Sequence, residues 1–250
     1  MKNLKINKIL SGRDYLLYNM AALKLIKKLP DNSIDAIITD PPYNIGNLKS
    51  YNIKFNNKER FSNNFGEWDK DFNPKEYLYE FKRILKPNGN IAIFSSILLF
   101  SDYVQILNDL FKKVNFFVWH KTNPPPKVRK NSFLSSCEYI FIAWDEPHIF
   151  NFKKQVEMHN FFESSICMGK ERLKGKCKHP TQKPLKLLKH LIEILTNKEQ
   201  IILDPFMGVG STGIAALELK RKFIGIDIDK KYFSCAKKRI KNFIKENNAN

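Results

Sequence analysis

The chain has 250 residues, 43% of them hydrophobic, with 43 Lys and Arg against 25 Asp and Glu and a formal net charge of +18. The length suffices for one α/β domain with a sizeable core plus an insertion; no apolar run is long enough to span a membrane, and Met1 to Asn7 lacks the apolar stretch of a signal peptide. The basic excess favours a polyanionic partner, since each phosphate contact releases counterions, although a Lys-, Asn- and Ile-rich genome would produce part of the same bias.

Leu4 to Tyr18 alternates loosely and predicts one or two strands around a Ser11-Gly12-Arg13-Asp14 turn. Ala21 to Leu29, with Leu23, Ile26 and Leu29 apolar, predicts a short helix stopped by Pro30-Asp31-Asn32. Ala36-Ile37-Ile38 then has the look of a strand buried on both faces. It ends in Asp40-Pro41-Pro42-Tyr43, where two prolines fix φ twice and cannot continue a ladder. Asp40 and Tyr43 are thus offered on a stiff turn at a strand's carboxyl end, where open α/β sheets bind ligands.

From Asn44 to Asn73 the chain turns polar, with isolated aromatics at Tyr51, Phe55, Phe61, Phe65 and Trp68 among Lys54, Lys58 and Arg60. A loop this long beside a site reads as a flap over substrate, and interleaved aromatic and basic residues suit nucleic acid. Pro74 to Leu85 predicts a helix stopped by Lys86 to Asn90. Ile91 to Phe94 predicts a strand, Tyr103 to Phe111 a helix and Phe116 to Trp119 a strand, an alternation that specifies a parallel doubly wound sheet.

Lys121-Thr122-Asn123-Pro124-Pro125-Pro126 breaks the pattern, followed by Lys127, Arg129 and Lys130. Cys137 to Trp144 predicts one more strand. Asp145 to Lys178 is rich in cations, Lys170 and Arg172 among them, and shows no clear core. The four cysteines form no Cys-x-x-Cys pair, and Cys177 beside His179 lacks metal-ligand spacing. The expectation is a reduced, cytoplasmic protein with no disulfide framework and no metal.

His179-Pro180-Thr181-Gln182-Lys183-Pro184 leads into a helix over Leu185 to Leu195. Ile201 to Leu203 predicts a strand, followed by Asp204-Pro205-Phe206-Met207 and then Gly208-Val209-Gly210-Ser211-Thr212-Gly213. A helix (Ile214 to Leu219), a strand (Phe223 to Ile226) and a last helix (Lys230 to Ile244, capped by Asp229) complete the chain. The glycine series between strand and helix fits nucleotide binding, with Asp227 at ribose-contacting distance along the chain. Two features argue against NAD. Four residues separate strand from glycines, and Asp204 places a carboxylate where a pyrophosphate would lie. A ligand carrying an ammonium group, a carboxylate for the helix end and a ribose for Asp227 suits the site better, and S-adenosylmethionine has all three. The 37 residues after Gly213 hold one strand and two helices, so the rest of the nucleotide-binding sheet is expected earlier in the chain.

Taken together, the Asp40-Pro41-Pro42-Tyr43 turn, the Phe65-Gly66-Glu67-Trp68-Asp69-Lys70 stretch, the Asn123 to Pro126 region, the His179 to Pro184 series and the Asp204 to Thr212 series resemble a DNA amino-methyltransferase of the β class, of the permuted kind found in restriction-modification systems. The resemblance runs from about Tyr18 to the last helix. It implies a Rossmann-like, doubly wound, mostly parallel α/β sheet with circularly permuted motif order. Residues 1–120 would form the catalytic half, 121–178 an inserted target-recognition segment and 179–250 the cofactor half. It implies S-adenosylmethionine as cofactor, double-stranded DNA as substrate, and a separately acting restriction endonuclease or a second copy of the chain as candidate partners. Phe206, Gly208, Gly210, Ser211 and Thr212 would shape the cofactor pocket, Asp204 would face its amino group and Asp227 its ribose, and Thr181, Gln182 and Lys183 would lie near the methionine part. The family usually carries an acid just before the first helix. Here that position is Ala21, so adenine recognition is expected from backbone groups of Ala21 and Ala22.

In chemical terms Asp40 and the Pro41 carbonyl would accept the two N–H bonds of an exocyclic amine, with Pro42 stiffening the turn and Tyr43 stacking on a base flipped out of the duplex. DNA contacts are expected from Lys121, Asn123, Lys127, Arg129, Lys130, Lys170 and Arg172. Asp40, rather than the Ser usual in the cytosine members, favours adenine N6 over cytosine N4. A non-catalytic nucleic-acid-binding protein on the same fold, an NAD-dependent oxidoreductase and an RNA or protein amine methylase are the rival readings.

Overall fold

The computed structural model describes residues 10–43, 52–55, 58–62, 72–127 and 130–248, and for the two segments between 52 and 62 the backbone alone. In chain order the elements are β1 (Leu10–Ser11), β2 (Tyr15–Asn19), α1 (Ala22–Ile26), β3 (Ile34–Thr39), β4 (Asn52–Phe55), β5 (Lys58–Ser62), α2 (Pro74–Ile84) and β6 (Leu85–Ser95). Then come α3 (Phe100–Leu110), β7 (Lys113–Lys121), β8 (Cys137–Trp144), β9 (Phe161–Ser164), α4 (Leu185–Leu195), β10 (Ile201–Asp204), α5 (Ser211–Glu218), β11 (Lys222–Asp227) and α6 (Lys230–Asn248).

Nine strands form one sheet in the order β1-β2-β11-β10-β3-β6-β8-β7-β9. The strands from β2 to β6 run parallel, whereas β8 is antiparallel to both β6 and β7. The sheet is therefore mostly parallel rather than wholly so, and β8, inside the expected insertion 121–178, is one of its interior strands. The β4–β5 hairpin replaces part of the loop expected between Asn44 and Asn73; Tyr51, Phe65 and Trp68 lie outside the described residues.

The apolar Ala36–Ile38 run of β3 follows from its place. All six of its residues are buried because helices cover both faces of the sheet. Ala36 and Ile38 point to the layer of α4, α5 and α6, where Leu187, Leu191, Ile214 and Ile240 lie. Ile37 points to the layer of α1, α2 and α3, with Leu25, Leu78, Phe81 and Leu107. Of the apolar positions predicted for the first helix, Ile26 and Leu29 are buried in this layer, whereas Leu23 is only partly buried. One strand begins earlier than predicted: β6 opens at Leu85, opposite Ile34, and Lys86 to Gly89 bulge past Asp35 before the register resumes at Asn90. Pro87 has no N–H for the ladder, and Lys86 Nζ donates to Asp35 Oδ1 at 2.7 Å across the bulge.

The topology decides where the site lies. The last two strands in sequence, β10 and β11, insert between β2 and β3, which come first. Leu203 of β10 pairs with Ile37 of β3, and Thr39 Oγ1 donates to Asp204 Oδ1 at 2.7 Å, so the two ends of the chain meet at adjacent strand termini. A parallel sheet needs crossover helices, and each crossover leaves its loop at the carboxyl end of a strand. The turns after β2, β3, β10 and β11 thus open on one crevice.

Cysteine pairing departs from expectation. Cys177 and Cys235 form a disulfide, with Cα atoms 5.6 Å apart across 58 residues of sequence. The turn at Gly175–Cys177 packs on α6 and brings the two together, a proximity that no sequence spacing signals. Closing a loop of that length stabilises a fold by about 4 kcal/mol in the chain-entropy account. Among the described residues, no helix is long and apolar enough to cross a membrane.

Candidate active site

A cavity of about 600 Å³ occupies the crevice, a size ordinary for a cofactor pocket. Asp40, Pro41, Pro42 and Tyr43 line it at the end of β3, and Asp204, Phe206, Gly208, Ser211 and Thr212 line it after β10. Asp227 closes it after β11, Ala21 and Ala22 at the start of α1, and Thr181, Gln182 and Lys183 ahead of α4. The two motif blocks, 164 positions apart at Asp40 and Asp204, form facing walls of one site.

The glycine loop is built by backbone conformation. Gly208 sits at φ +52°, and a Cβ there would come within 3.3 Å of His179 Nε2. Its N–H donates to Asp227 Oδ2 at 2.8 Å, while Oδ1 of the same carboxylate accepts from Asp229 N at 2.7 Å. Gly210 caps α5 at φ +79°, where side chains are strained. It does not line the cavity: a Cβ would meet Ala236 of α6 at 3.1 Å, so this glycine serves helix packing rather than ligand shape. Ser211 Oγ accepts from Arg239 of α6 at 3.0 Å, which anchors the loop from behind.

Two residues expected to contact the ligand line the cavity but already have partners within the protein. Asp204 is 2% exposed. Its carboxylate accepts from Thr39, from Phe206 N at 3.1 Å and from Thr212, so it knits β10 to β3 and to α5. Burial pushes its pKa up to about 6. Gln182 spends its side-chain amide on Glu171 O (2.8 Å) and Leu173 N (3.1 Å). Asp227 also lines the cavity, and burial pushes its pKa up to about 7 against the two backbone N–H groups that favour its ionised form.

Lys183 lines the cavity and is also paired with two acids. It is 5% exposed, and Nζ donates to Asp40 Oδ2 at 2.5 Å and lies 3.2 Å from Glu138 Oε2. Tyr43 Oη donates to Asp40 Oδ1, also at 2.5 Å. Burial first, and Glu138 after Lys183, act on Asp40; the net direction is upward from the usual carboxylate range. Burial acts on Glu138 in the same sense, but Lys183 and Lys121 outweigh it and hold Glu138 low.

That arrangement also corrects Lys121. It ends β7 almost buried, with Nζ 2.9 Å from Glu138 Oε1 and 3.2 Å from Ser135 O, so it faces the interior and is not available to a phosphate. Asn123 commits Oδ1 to Ile166 N at 2.8 Å. Lys130 and Lys170 are exposed and Lys127 and Arg172 half-buried, none of them lining the cavity, and Arg129 lies outside the described residues.

Several lining residues were not anticipated. Phe72, Asn73, Glu76 and Tyr77 reach the cavity because α2 is the crossover between β3 and β6, and its N-terminus opens at the same sheet end. Tyr77 and Phe206 pack ring to ring at 5.2 Å, giving the cavity an aromatic wall. Ala21 caps α1 with no side-chain hydrogen bond, as an alanine must. His179 packs edge-on to Tyr232 at 4.5 Å, and burial, then Lys183, push its pKa down to about 4, so it is neutral at pH 7.

Comparison with known proteins agrees with this geometry. The profile of a family described as DNA methylase, of the N6/N4 methyltransferase type, matches residues 34–238. Type II methyltransferase M2.LlaDCHI of Lactococcus lactis subsp. cremoris is 34% identical over 244 residues, which is 90% of this chain and 88% of that one. Type II methyltransferase M2.DpnII of Streptococcus pneumoniae is 34% identical over 244 residues, 90% and 89% of the two chains. Among solved structures, the M1.HpyAVI–SAM complex superposes with a TM-score of 0.70 at 32% identity, covering 90% of this chain and 98% of that one. The cytosine-N4-specific PvuII DNA methyltransferase, at 18% identity and a TM-score of 0.66 over 93% and 92% of the two chains, shares the fold.

Proposed function

The chain belongs to the DNA methylase family of N6/N4 amino-methyltransferases, and from that membership we propose that it methylates the N6 amine of an adenine turned out of double-stranded DNA, with S-adenosylmethionine as the donor. The observation that carries this reading is the single cavity shared by the Asp40–Tyr43 turn and the Gly208–Asp227 wall. One wall offers acceptors for an amine and the other a nucleotide-like site, so two substrates can lie in contact.

S-adenosylmethionine supplies an electrophilic methyl group on a sulfonium. The residues present fit it: Asp227 offers a carboxylate to ribose hydroxyls, the Tyr77–Phe206 wall offers packing to an adenine ring, and the Gly208 loop admits close backbone approach. Asp40 and the Pro41 carbonyl accept the N–H bonds of the target amine and so favour its pyramidal, nucleophilic form as charge develops. Pro41 and Pro42 hold those acceptors still, and Tyr43 supplies a ring beside them for the base. The adenine assignment follows from Asp40 at the first position of the turn.

A duplex would approach the end of the sheet at which β3, β6 and β7 finish and β8 begins. Segments 97–98, 122–127 and 130–136 rise there, expose Ile97 (70%), Phe133 (97%) and Leu134 (50%), and carry Lys127 and Lys130. Apolar side chains among cations suit a partner with phosphates outside and bases within. We place the enzyme in the cytoplasm with the DNA it modifies, as the modifying half of a restriction-modification pair.

The deciding experiment incubates the purified chain with unmethylated DNA and methyl-labelled S-adenosylmethionine, then resolves the nucleosides. Label in N6-methyldeoxyadenosine supports the reading; label only in N4-methyldeoxycytidine overturns the adenine assignment. Asp227 adds a pH signature. Ionised, it accepts from ribose hydroxyls, so S-adenosylmethionine affinity is expected to fall as pH drops through about 7, the value set by its burial. Calorimetry between pH 8 and 6 should show this decline in the parent and a flat, weaker profile in Asp227→Asn.

A further inference from the structure

Four charged side chains run in alternation away from the catalytic turn: Asp40, Lys183, Glu138 and Lys121. Two carboxylates face two ammonium groups, with side-chain exposures of 21%, 5%, 16% and 11%. The proposed chemistry uses Asp40 alone, and the rest of the line calls for a reason.

Asp40 already accepts at both oxygens, from Tyr43 Oη and from Lys183 Nζ, each at 2.5 Å. An amine arriving at Asp40 must therefore share an oxygen with a donor in place, and an oxygen already bound to an ammonium or a phenol is a weaker acceptor for it. Glu138 Oε2 faces both of those donors, 3.2 Å from Lys183 Nζ and 3.5 Å from Tyr43 Oη. Its other oxygen is held by Lys121, itself tied to Ser135 O, so the carboxylate is fixed in position. Glu138 reaches this spot because β8 is antiparallel to β6, which puts the start of β8 at the carboxyl end of the parallel strands.

We propose that Glu138 is a positioning residue that takes over the hydrogen bonds of Lys183 and Tyr43 when the target amine reaches Asp40, leaving Asp40 an oxygen free to accept. The inference rests on the reading of Asp40 as the amine's acceptor. Only hydrogen bonds change hands; no covalent bond is made or broken in the exchange. If Glu138 served merely to neutralise Lys121, its second oxygen would have no reason to face both donors of Asp40.

The groups acting on Asp40 are Lys183, Glu138 and Tyr43, with Tyr103 and Asp204 nearby; Glu138 is faced by Lys183, Lys121 and Tyr43. The negative charge of Glu138 raises the pKa of Asp40. Removing it should move the acid limb of the rate profile to lower pH, because Asp40 must be ionised to accept.

The test uses the full chain with plasmid DNA and labelled S-adenosylmethionine. Glu138→Gln is expected to lower kcat about 10- to 100-fold, the range for losing one charge-assisted hydrogen bond. KM for the plasmid and S-adenosylmethionine affinity by calorimetry should change little, and the acid limb should shift downward. The double variant Lys121→Met/Glu138→Gln restores charge balance and guards against simple unfolding; it should keep both the kcat deficit and the shifted limb. Wild-type kcat in either variant, or a deficit with an unmoved limb, overturns the hand-over. Asp40→Ala assayed alongside separates the two failures. If Asp40→Ala is dead while Glu138→Gln turns over normally, the hand-over alone falls; if Asp40→Ala is active, the reading beneath it falls too.

Discussion

Asp40→Ala is expected to lower kcat for methyl transfer at least about 10²- to 10³-fold, the effect of deleting one preorganised polar group at a developing charge, with S-adenosylmethionine affinity close to that of the parent. The split follows from geometry. Asp40 follows β3, while the groups proposed for the donor follow β10, end β11 or lie on α2. Removing the carboxylate deprives the amine of an acceptor as its lone pair is drawn into the new bond, and it leaves the Gly208–Asp227 hydrogen bond intact. Single-turnover rates with labelled donor measure the first effect and calorimetry the second. Turnover at the parent rate would remove Asp40 from the mechanism; loss of donor binding with no other defect would assign it to the cofactor side.

Lys183→Met should be the most damaging single change to the fold of the site. Its ammonium is 5% exposed and balances two carboxylates, Asp40 and Glu138, and breaking a buried ion pair from one side costs about 3–5 kcal/mol. Burial works against the ammonium, but the two acids outweigh it and hold its pKa above the usual lysine value, so it is charged throughout the working pH range. Without it the two acids repel, and one of them is expected to take up a proton, leaving Asp40 a poorer acceptor. Urea denaturation should show the loss of stability, and it should be smaller at pH 5 than at pH 8, because protonation relieves the unpaired acids. An equal loss at both pH values would mean that Lys183 acts by packing against Phe94 and Tyr43 rather than by charge.

The parts of this site that could be read early are those written as contiguous chemistry. Asp40-Pro41-Pro42-Tyr43 follows a run buried on both faces, and Gly208 to Thr212 sits between a strand and a helix; each signal is local. The residues proposed to face DNA were less legible because charge on a sequence carries no direction. Lys121 and Lys127 look alike in the chain, yet the inward alternation of β7 and the acid at Glu138 bury the first and leave the second half-exposed. Asn73, Glu76 and Tyr77 escaped notice for a different reason: they look like the first turn of an ordinary amphipathic helix, and only the crossover from β3 to β6 aims that turn at the cavity.

By itself, the sequence determined the strands and helices outside residues 44–73 and 145–178, the stiff turn, the glycine loop and the permuted order of the two halves. These depend on φ restriction, apolar period and residues a few positions apart. Tertiary structure alone decided that β10 and β11 slot between β2 and β3, that Cys177 meets Cys235, and that Lys183 lies between Asp40 and Glu138. The physical reason is range: a charge finds its partner through the fold's geometry, across 143 residues between Asp40 and Lys183, and nothing local to either residue specifies the other.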